Sequence, residues 1–509
     1  MLATIKTASL YGIDARMIDV EVDISAGFPG YTIVGLAEGA AKESKERVKT
    51  AVRNCGFSFP KGRITINLAP AWLKKAESAY DLPIALGLLI ASKQVLSFMH
   101  HDYIVLGEIG LSGECKAVKG CLVAVNAGKN NNIKHAIVPK ANEKEASIVD
   151  GIKVFGAKDL YDAIAALNGK IKPAKKEIRS GLTEVEMEYS SDFSEVKGQV
   201  KLKRAVEIAV SGNHNILMIG SAGCGKTMIA KRIPTIMPQM SFAESLETTK
   251  IYSIAGLLKS KESLLYERPF RSPHHTISDV GIIGGGQGIP RPGEVCLANN
   301  GVLFLDEMPE FKRSAIEVLR QPLEDKKVFI NRALNTVSYP ANFLLVAAMN
   351  PCPCGNLGDA KKTCTCSAAQ VARYFFKISS PLLDRIDLHL EVPSIKFKDL
   401  TSKSSEETSE VVKKRVCKIR KIQAKRFEKE KILTNSEMLP KHLNTFCYLD
   451  KKSKSLLKIA VDEKGFSARA YSRVIKVART IADMEESDLI MQEHVEEAIN
   501  YRILDKMVF

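Results

Sequence analysis

The stretch GSAGCGKT at residues 220–227 constrains the fold more than any other part of this 509-residue chain. It fits the pattern G-x-x-x-x-G-K-[ST], with the apolar run NILMIG before it and the segment KTMIAKRI after it. A strand, a glycine-rich turn and a helix in this order form a phosphate-binding loop, because the glycines let backbone N–H groups turn inward and the helix begins at the phosphates. The sequence therefore predicts a nucleoside triphosphate site at the edge of an α/β sheet.

The predicted nucleotide-binding loop consists of eight consecutive residues: Gly220, Ser221, Ala222, Gly223, Cys224, Gly225, Lys226 and Thr227. We expect the lysine ammonium to contact the β- and γ-phosphates and the threonine hydroxyl to bind Mg²⁺. ATP and Mg²⁺ are therefore the predicted cofactors.

Two further apolar runs end at polar side chains that suit hydrolysis. The run VLFL is followed by Asp306 and Glu307, and the run FLLVAAM is followed by Asn350. Parallel strands bind ligands at their carboxyl ends, so these side chains should meet beside the phosphate loop. Asp306 is then a second Mg²⁺ ligand, Glu307 the base that activates water, and Asn350 a group that holds the same water.

Changes in composition and pattern divide the chain into four parts. Residues 1–168 alternate strand-like and helix-like segments and predict a compact α/β unit, whereas residues 169–192 are polar and predict a linker. Residues 193–395 surround the phosphate loop with alternating strands and helices, which predicts a parallel sheet. Residues 396–509 are mostly helical in pattern. The predicted fold class is therefore α/β with a helical C-terminal part.

Several individual elements can be predicted from periodicity. In the first part the segments ARMIDVEVDI, RITINLA and YIVLGEIGL predict strands, and AAKESKERVKTAVRNCG and DLPIALGLLIASK predict helices. Ahead of Asn350, the short runs KVFIN and NTVSYP flank the residues RAL and predict a hairpin.

The ordered set of nucleotide motifs resembles the AAA+ ATPases. The resemblance implies that Asn350 is their sensor-1 residue, and that Arg385, in SPLLDRIDLHLEVP, is the arginine finger that reaches a neighbouring subunit's ATP. It implies that Arg469, in FSARAYSRVIKVARTIA, is the sensor-2 arginine at the start of a lid helix. Fingers that act between subunits imply a ring, most often a homo-hexamer. From the residues alone, a surface charge is the alternative for either arginine.

Four longer phrases resemble one family more specifically. They are YTIVGLAEGAAKESKERVKTAV, FRSPHHTISDVGIIGGG, GEVCLANNGVLFLDEMPEF and AMNPCPCG, which look like the YifB/ComM family of Mg-chelatase-like AAA+ proteins. The resemblance implies a Lon protease-like, non-proteolytic N-terminal domain over residues 1–168. It also implies hairpins that project into the pore of the ring, and a motor that acts on single-stranded or branched DNA. The implied role is a branch-migration helicase in natural transformation or recombination.

Two other activities remain as alternatives. A Lon-like protease needs a serine and a lysine within hydrogen-bond reach, but alignment places Asp81 at the serine position and Leu122 near the lysine position. Ser78 and Lys119 lie close enough in sequence that a shifted alignment would restore the pair. The second alternative is an ATPase subunit for metal insertion into a porphyrin, although chelatase motors do not usually carry such an N-terminal domain.

A net charge of +16 raises the expectation of a polyanionic partner such as DNA. Basic and histidine side chains in the predicted pore elements suit phosphate contact: Arg268, Arg271, His274, His275, Arg291 and Arg332. A predicted helix around residues 412–427 adds Lys413, Lys414, Arg415, Lys418, Arg420, Lys421, Lys425 and Arg426. Both sets are equally compatible with carboxylate pairing or a solvated helix face, and the sequence leaves these alternatives open.

Four of the eleven cysteines crowd into the loop 350–367. Cys352, Cys354, Cys364 and Cys366 form a C-x-C pair repeated after nine residues, which suits a tetrahedral zinc site. Four thiolates leave no open position, so such a zinc ion would be structural. Free thiols in a loop are the alternative.

No secretory signal pattern is evident at the N-terminus, and the longest apolar run, LPIALGLLIA, is about half the ~20 residues that a membrane span needs. We therefore expect no membrane association and a cytoplasmic location.

Overall fold

We describe the fold from a computed structural model of the chain. It describes residues 2–73, 75, 78–96, 100–175, 191–259, 263–286, 290–332, 335–359, 362–394, 406–462, 466–502 and 504. Most of the predicted linker 169–192 lies outside these residues.

A seven-stranded sheet forms the centre of the N-terminal part. The described strands of this part are β1 (Leu2–Tyr11), β2 (Asp14–Ser25), β3 (Gly30–Val34), β4 (Arg63–Ala69), β5 (Tyr103–Val105), β6 (Glu108–Ile109), β7 (Cys115–Lys116), β8 (His135–Pro139) and β9 (Lys153–Ala157). The helices are α1 (Glu38–Asn54), α2 (Asp81–Ala91), α3 (Cys121–Asn130), α4 (Glu143–Ala146) and α5 (Leu160–Leu167). The sheet order is β3-β4-β2-β1-β5-β8-β9, and β6 pairs with β7 separately. Every residue of α2 is buried, because this helix, which is apolar after Asp81, packs on β1 and β2.

The middle part contains a second, wholly parallel sheet. Its strands and hairpin segments are β10 (Ile216–Ile219), β11 (Phe270–Arg271), β12 (Gly284–Gly285), β13 (Arg291–Pro292), β14 (Val302–Leu305), β15 (Lys327–Arg332), β16 (Asn335–Pro340), β17 (Leu344–Met349) and β18 (Leu388–Glu391). The helices are α6 (Val200–Gly212), α7 (Lys226–Ala230), α8 (Ile233–Ile236), α9 (Phe242–Ala255), α10 (Asp279–Ile283), α11 (Glu294–Leu297), α12 (Arg313–Glu317), α13 (Arg320–Asp325), α14 (Ala368–Phe375) and α15 (Ser380–Leu383). Five strands form the sheet in the order β11-β14-β17-β10-β18. This arrangement confirms the predicted α/β fold class.

Two small antiparallel hairpins extend from the middle part. One pairs β12 with β13, and the other pairs β15 with β16, as KVFIN and NTVSYP predicted. The buried phenol of Tyr339 on β16 donates a 2.7 Å hydrogen bond to the carbonyl oxygen of Pro290, just before β13. The two hairpins are therefore joined at their sides.

The C-terminal part is helical, as predicted. It comprises α16 (Ser409–Arg426), α17 (Pro440–Phe446), α18 (Lys451–Asp462), α19 (Ala468–Met484) and α20 (Gln492–Asn500). Helix α16 packs on α6 and α8, and α19 packs on α6 and α20, so both share one hydrophobic core with the sheet. The chain then returns to β18, where the N–H of His389 donates to the carbonyl oxygen of Tyr501 over 2.6 Å.

The N-terminal part is docked on the middle part through apolar and polar contacts. Leu10 and Val123 share a core with Ile251 and Ile254 of α9. Beside them, the hydroxyl of Ser253 donates a 2.6 Å hydrogen bond to the carboxylate of Glu145, whose pKa is raised by burial.

Two predicted elements differ in detail. The segment YIVLGEIGL forms two short strands instead of one, and between them the N–H of Gly107 donates to the carbonyl oxygen of Ala79. The helix after the phosphate loop ends at Ala230 and resumes at Ile233, since Pro234 has no N–H to continue the first helix. Among the described residues, no helix combines the length and apolar character that crossing a bilayer requires.

Candidate functional site: a nucleotide site at the carboxyl edge of the parallel sheet

The phosphate loop leaves β10 and enters α7 at the carboxyl edge of the sheet. Gly223 and Gly225 have φ angles of +81° and +96°, which glycine adopts without steric cost and which turn the loop tightly. The ammonium of Lys226 lies inside the loop, 2.6 Å from the carbonyl oxygen of Gly220 and 2.9 Å from that of Ser221. The loop therefore holds the Lys226 ammonium at the position where a triphosphate would be bound.

The two predicted Mg²⁺ ligands contact each other. The hydroxyl of Thr227 donates a 2.7 Å hydrogen bond to Oδ2 of Asp306, although the two residues are far apart in sequence. A hydroxyl and a carboxylate oxygen are the ligand types that Mg²⁺ takes in phosphate-loop sites. The donor set and its position at the loop therefore fit the predicted metal.

Glu307 has an unusual backbone conformation. Its φ angle is +51°, in the left-handed region that non-glycine residues seldom adopt, and its side chain is exposed. The N–H of Glu307 donates to Oδ1 of Asp306 over 3.0 Å, so the turn is fixed by the carboxylate that precedes it. Such backbone strain is often found at functional positions.

Asn350 lies between the two acidic residues and the loop. It follows β17, which pairs on one side with β14 and on the other with β10. The N–H of Gly220 donates to the carbonyl oxygen of Met349 over 3.2 Å, which attaches the loop to the residue before Asn350. The fold thus brings all of the predicted carboxyl-edge residues together.

Gln199 was not predicted to contribute to this site. It has a φ angle of +55°, and its amide donates to the carbonyl oxygens of Cys224 (3.1 Å) and Pro393 (2.8 Å). It therefore supports the loop from the start of α6. The sequence gives little indication of this role, because a Gly-Gln pair before a helix does not occur at a fixed distance from a phosphate-binding loop.

Arg385 lies at the opposite edge of the same sheet. The amide of Asn215, which precedes β10, donates to the carbonyl oxygen of Arg385 over 3.1 Å. Four residues of β10 then separate this end from the phosphate loop, which corresponds to about 13 Å of strand. The strand therefore holds the Arg385 backbone well away from the phosphate site of its own chain.

The two predicted motor arginines meet at one carboxylate. An Nη atom of Arg385 lies 2.6 Å from Oε1 of Glu324, and an Nη atom of Arg469 lies 4.0 Å from the same oxygen. Arg385 is largely buried and Arg469 is exposed in the first turn of α19. The fold thus places both guanidinium groups on one face, with Glu324 between them.

An ion pair with a fully buried carboxylate stabilises this arrangement. Arg473, one helical turn after Arg469, donates to Oδ1 of Asp387, and Oδ2 of Asp387 accepts the N–H of Asn215 over 2.9 Å. Burial alone would raise the pKa of Asp387, but Arg473 and His214 bring it well below its usual range. Asp387 and Arg473 were not predicted, because their pairing depends on the packing of α19 against the sheet.

The four clustered cysteines converge in the loop after Asn350. The sulfur atoms of Cys352, Cys354 and Cys364 are 3.4, 3.6 and 3.6 Å apart, and Cys366 completes a set within 4.8 Å of one another. Zn–S bonds of about 2.3 Å in a tetrahedron place sulfur atoms roughly 3.8 Å apart. The cluster is therefore compatible with a zinc ion.

Several basic side chains that the sequence suggested for DNA contact form hydrogen bonds or ion pairs within the chain. Arg268 donates to the carbonyl oxygens of Pro238 and Asn300, and Arg271 forms a two-point pair with Glu294. The side chain of Arg332 lies outside the described residues. Arg268 and Arg271 thus have structural partners that explain their presence.

The basic helix α16 shows the same behaviour. Arg415 pairs with Glu207 and Glu407, and Arg426 donates to Asp483 over 2.7 Å. Burial, together with the nearby Arg268, lowers the pKa of Arg420 to about 10. Lys414 and Lys418 also pair with carboxylates. Contacts within the chain therefore account for Arg415, Arg420 and Arg426, whereas Lys414 and Lys418 form ion pairs at the surface.

The positions aligned with a protease dyad are buried and unsuited to catalysis. Asp81 is 1% exposed and accepts hydrogen bonds from Ser44 (2.6 Å) and Arg47 (2.7 Å). Burial raises the pKa of Asp81, and these two donors oppose the shift. Leu122 is fully buried in another core, and the side chain of Ser78 lies outside the described residues.

Comparisons with known proteins match nearly the whole chain to one family. Models of magnesium chelatase subunit ChlI match residues 192–400 and 20–142, and a model of the ChlI C-terminal region matches residues 406–502. The competence protein ComM of Haemophilus influenzae is 39% identical over all of this chain and 98% of its own length. YifB of Escherichia coli K12 is 40% identical over the same shares.

A shorter similarity involves a DNA repair protein. RadA of Haemophilus influenzae is 32% identical over 23% of this chain and 24% of its own length. This match is too short to define a family, whereas the matches above extend over nearly the whole chain. The chain therefore belongs to the Mg-chelatase-like AAA+ ATPases, in the family that includes ComM and YifB.

Proposed function

We propose that this ATPase is a ring-shaped DNA motor, a homo-hexamer that drives branch migration during transformation or recombination. The observation that supports the proposal most is that the predicted nucleotide-binding residues and the two predicted arginines lie at opposite edges of the sheet. The nucleotide ligands lie at the carboxyl edge of the sheet, whereas Arg385 and Arg469 lie together at the amino edge. A complete site then needs the amino edge of one protomer to face the carboxyl edge of the next.

In this proposal each residue at the interface has a defined task. Lys226 binds the β- and γ-phosphates, and Thr227 and Asp306 hold Mg²⁺, which neutralises phosphate charge when bound. Glu307 accepts a proton from the attacking water, and Asn350 orients that water. The guanidinium groups of Arg385 and Arg469 bind the γ-phosphate held by the neighbouring protomer, since each can exchange its contact with Glu324 for a more highly charged phosphate.

DNA is the proposed partner because of the relatives and the overall charge. ComM is by name a competence protein and RadA a DNA repair protein, and this chain carries a net charge of +16. We assign the N-terminal residues 1–168 a non-proteolytic role, since Asp81 and Leu122 offer no nucleophile and base. A chelatase-type role is the second candidate, supported by the three ChlI models.

The discriminating experiment measures ATP hydrolysis with single-stranded, duplex and forked DNA, and measures particle mass with and without ATP. We expect DNA to raise the rate severalfold and ATP to convert the chain into a hexamer. A porphyrin supplied with chelatase partner subunits serves as the control and should leave the rate unchanged. A chain that stays monomeric with ATP and responds to no DNA would contradict the proposal.

We further propose that Cys352, Cys354, Cys364 and Cys366 hold a structural zinc ion. Cys352 lies two residues after Asn350, so a closed metal site would restrain the loop that follows the water-orienting residue. Mass spectrometry of the purified protein should find about one zinc per chain, as a closed four-sulfur site requires.

The matched variants for the zinc site are Cys352→Ser/Cys354→Ser and Cys417→Ser. The double variant should lose the metal and the thermal stability that it provides, whereas Cys417, which lies on α16, should be replaceable without loss of zinc. Wild-type protein that contains no zinc after purification without chelators would refute this assignment.

A further inference from the structure

A cavity of about 220 Å³ lies between the parallel sheet and the helical C-terminal part, at the edge of the sheet opposite the phosphate loop. On one side it is lined by residues that lie just before four adjacent strands, namely Arg268, Asn300, Asn342 and Asn213. On the other side are Arg420 of α16 and residues of the segment 433–437. A molecule held in this cavity therefore contacts both the sheet and the helical part.

Arg420 brings a guanidinium group with open donors to the cavity. Its Nη2 donates to the carbonyl oxygen of Val210 over 2.7 Å, which uses one of the five N–H donors of an arginine. Its Nε is buried without a hydrogen-bond partner, and Arg420 forms no ion pair with a carboxylate among the described residues. Because a partly buried cation is stabilised by a counter-ion, Arg420 suits an anionic group of a ligand.

Glu437 supplies a carboxylate to the same cavity. Its Oε2 accepts the N–H of Leu433 over 2.8 Å, whereas Oε1 accepts no hydrogen bond within the described part of the chain. The other two charges of the lining are paired, since Arg268 lies 3.5 Å from Glu244. One guanidinium and one carboxylate group therefore remain for a ligand.

Two amides and an apolar patch complete the lining. The side chains of Asn213 and Asn342 have no hydrogen-bond partner in the residues that the structure describes, and Oδ1 of Asn342 is buried. Leu433 is 64% exposed, so the cavity reaches solvent there. Its volume is below the roughly 300 Å³ at which sites for drug-sized ligands begin, so it suits a small molecule. The apolar lining residues are Met237, Pro238, Ala424 and Leu433.

We propose that this cavity binds a small zwitterion, a free α-amino acid with an apolar side chain. The carboxylate of the amino acid accepts hydrogen bonds from Arg420, and its ammonium group donates to Glu437. The side chain of the amino acid packs against Met237, Pro238 and Leu433. A simple anion leaves Glu437 without a partner and a simple amine leaves Arg420 without one, so the site needs both charges in one ligand. This inference is independent of the proposed action on DNA.

The test is thermal denaturation and calorimetric titration of the full chain with L-leucine, L-methionine and L-phenylalanine. At least one of them should raise the melting temperature in a concentration-dependent way, because a ligand that binds only the folded chain stabilises it. The matching acid without the amino group and the matching amine without the carboxylate, which for leucine are 4-methylpentanoate and 3-methylbutylamine, should bind about tenfold more weakly or worse, as the loss of one charge-assisted hydrogen bond requires. Binding of none of the three amino acids, or equal binding of an amino acid and its analogues, would overturn the inference.

Charge-removing variants test the two assigned contacts. Arg420→Gln and Glu437→Gln should each weaken amino-acid binding by about tenfold or more. Glu437→Gln keeps an oxygen for the N–H of Leu433, so it tests the site separately from any loss of stability in the arginine variant. Lys421→Gln and Glu428→Gln are the matched controls, since they remove the same charges from exposed positions nearby and should bind as the wild type does. Wild-type affinity in both cavity variants would contradict the proposed site.

Discussion

Replacing Glu307 by glutamine should stop ATP turnover while ATP stays bound. Glutamine has nearly the same volume, but its amide cannot accept a proton from water. The loss of a general base lowers a hydrolysis rate by about 10²- to 10⁴-fold. Nucleotide affinity should be retained, since the phosphates are held by the loop and by Lys226. The measurement is kcat for ATP hydrolysis together with the Kd for a fluorescent ATP analogue.

The matched control for this variant is Glu310→Gln. Glu310 is an exposed carboxylate three residues later that pairs with Lys377 over 3.3 Å. It should hydrolyse ATP at nearly the wild-type rate. Lys226→Ala gives the opposite pattern to Glu307→Gln, because it removes the phosphate contact and should bind no nucleotide. Wild-type turnover by Glu307→Gln would show that another group activates the water.

Arg385→Ala should abolish ATP hydrolysis, and mixing it with a second inactive variant should restore part of the activity. An arginine that stabilises the transferring phosphate contributes about 10³- to 10⁵-fold to the rate. If Arg385 acts on a neighbour's ATP, a mixture of Arg385→Ala and Lys226→Ala chains contains interfaces with an intact loop from one chain and an intact arginine from the other. Random mixing in a ring yields up to about one quarter of such interfaces.

The measurement is the ATPase rate of the two variants alone and in an equimolar mixture. We expect almost no activity in either variant and clear recovery in the mixture. Arg53→Ala, which removes an exposed arginine from α1, serves as the control for loss of charge. A mixture that remains inactive while both chains co-assemble would contradict a shared site, and so would full activity of Arg385→Ala alone.

The sequence predicts which edge of the sheet carries the candidate nucleotide-binding residues, because these residues directly follow apolar strands. Asp306 and Asn350 each end an apolar run, so a parallel sheet leaves few ways to arrange them. The hairpin β15–β16 was also predictable, since both of its strands are local. In contrast, β11 contains two residues within a long polar segment, and only its pairing with β14 makes it a strand.

The partners of charged residues could not be predicted from the sequence. Arg415 and Glu207 are 208 positions apart, and their pairing depends on how α16 packs against α6. The sequence pattern of α16 is that of a basic, DNA-binding helix, whereas in the structure Arg415 and Arg426 pair with carboxylates of the same chain. Gln199 was missed for a related reason, since its contacts with the phosphate loop arise from a left-handed turn and not from a motif.

The hydrogen bond between Tyr339 and Pro290 affects how the two hairpins are connected to the candidate nucleotide site. Both hairpins are joined there, and β16 continues through three residues into β17, which ends at Asn350. The six residues of β17 are all buried, and this rigid strand connects Asn350 to the segment that leads from the joined hairpins. Because the strand is fully buried and the two hairpins are joined, we expect any displacement of Asn350 along β17 to move both hairpins together.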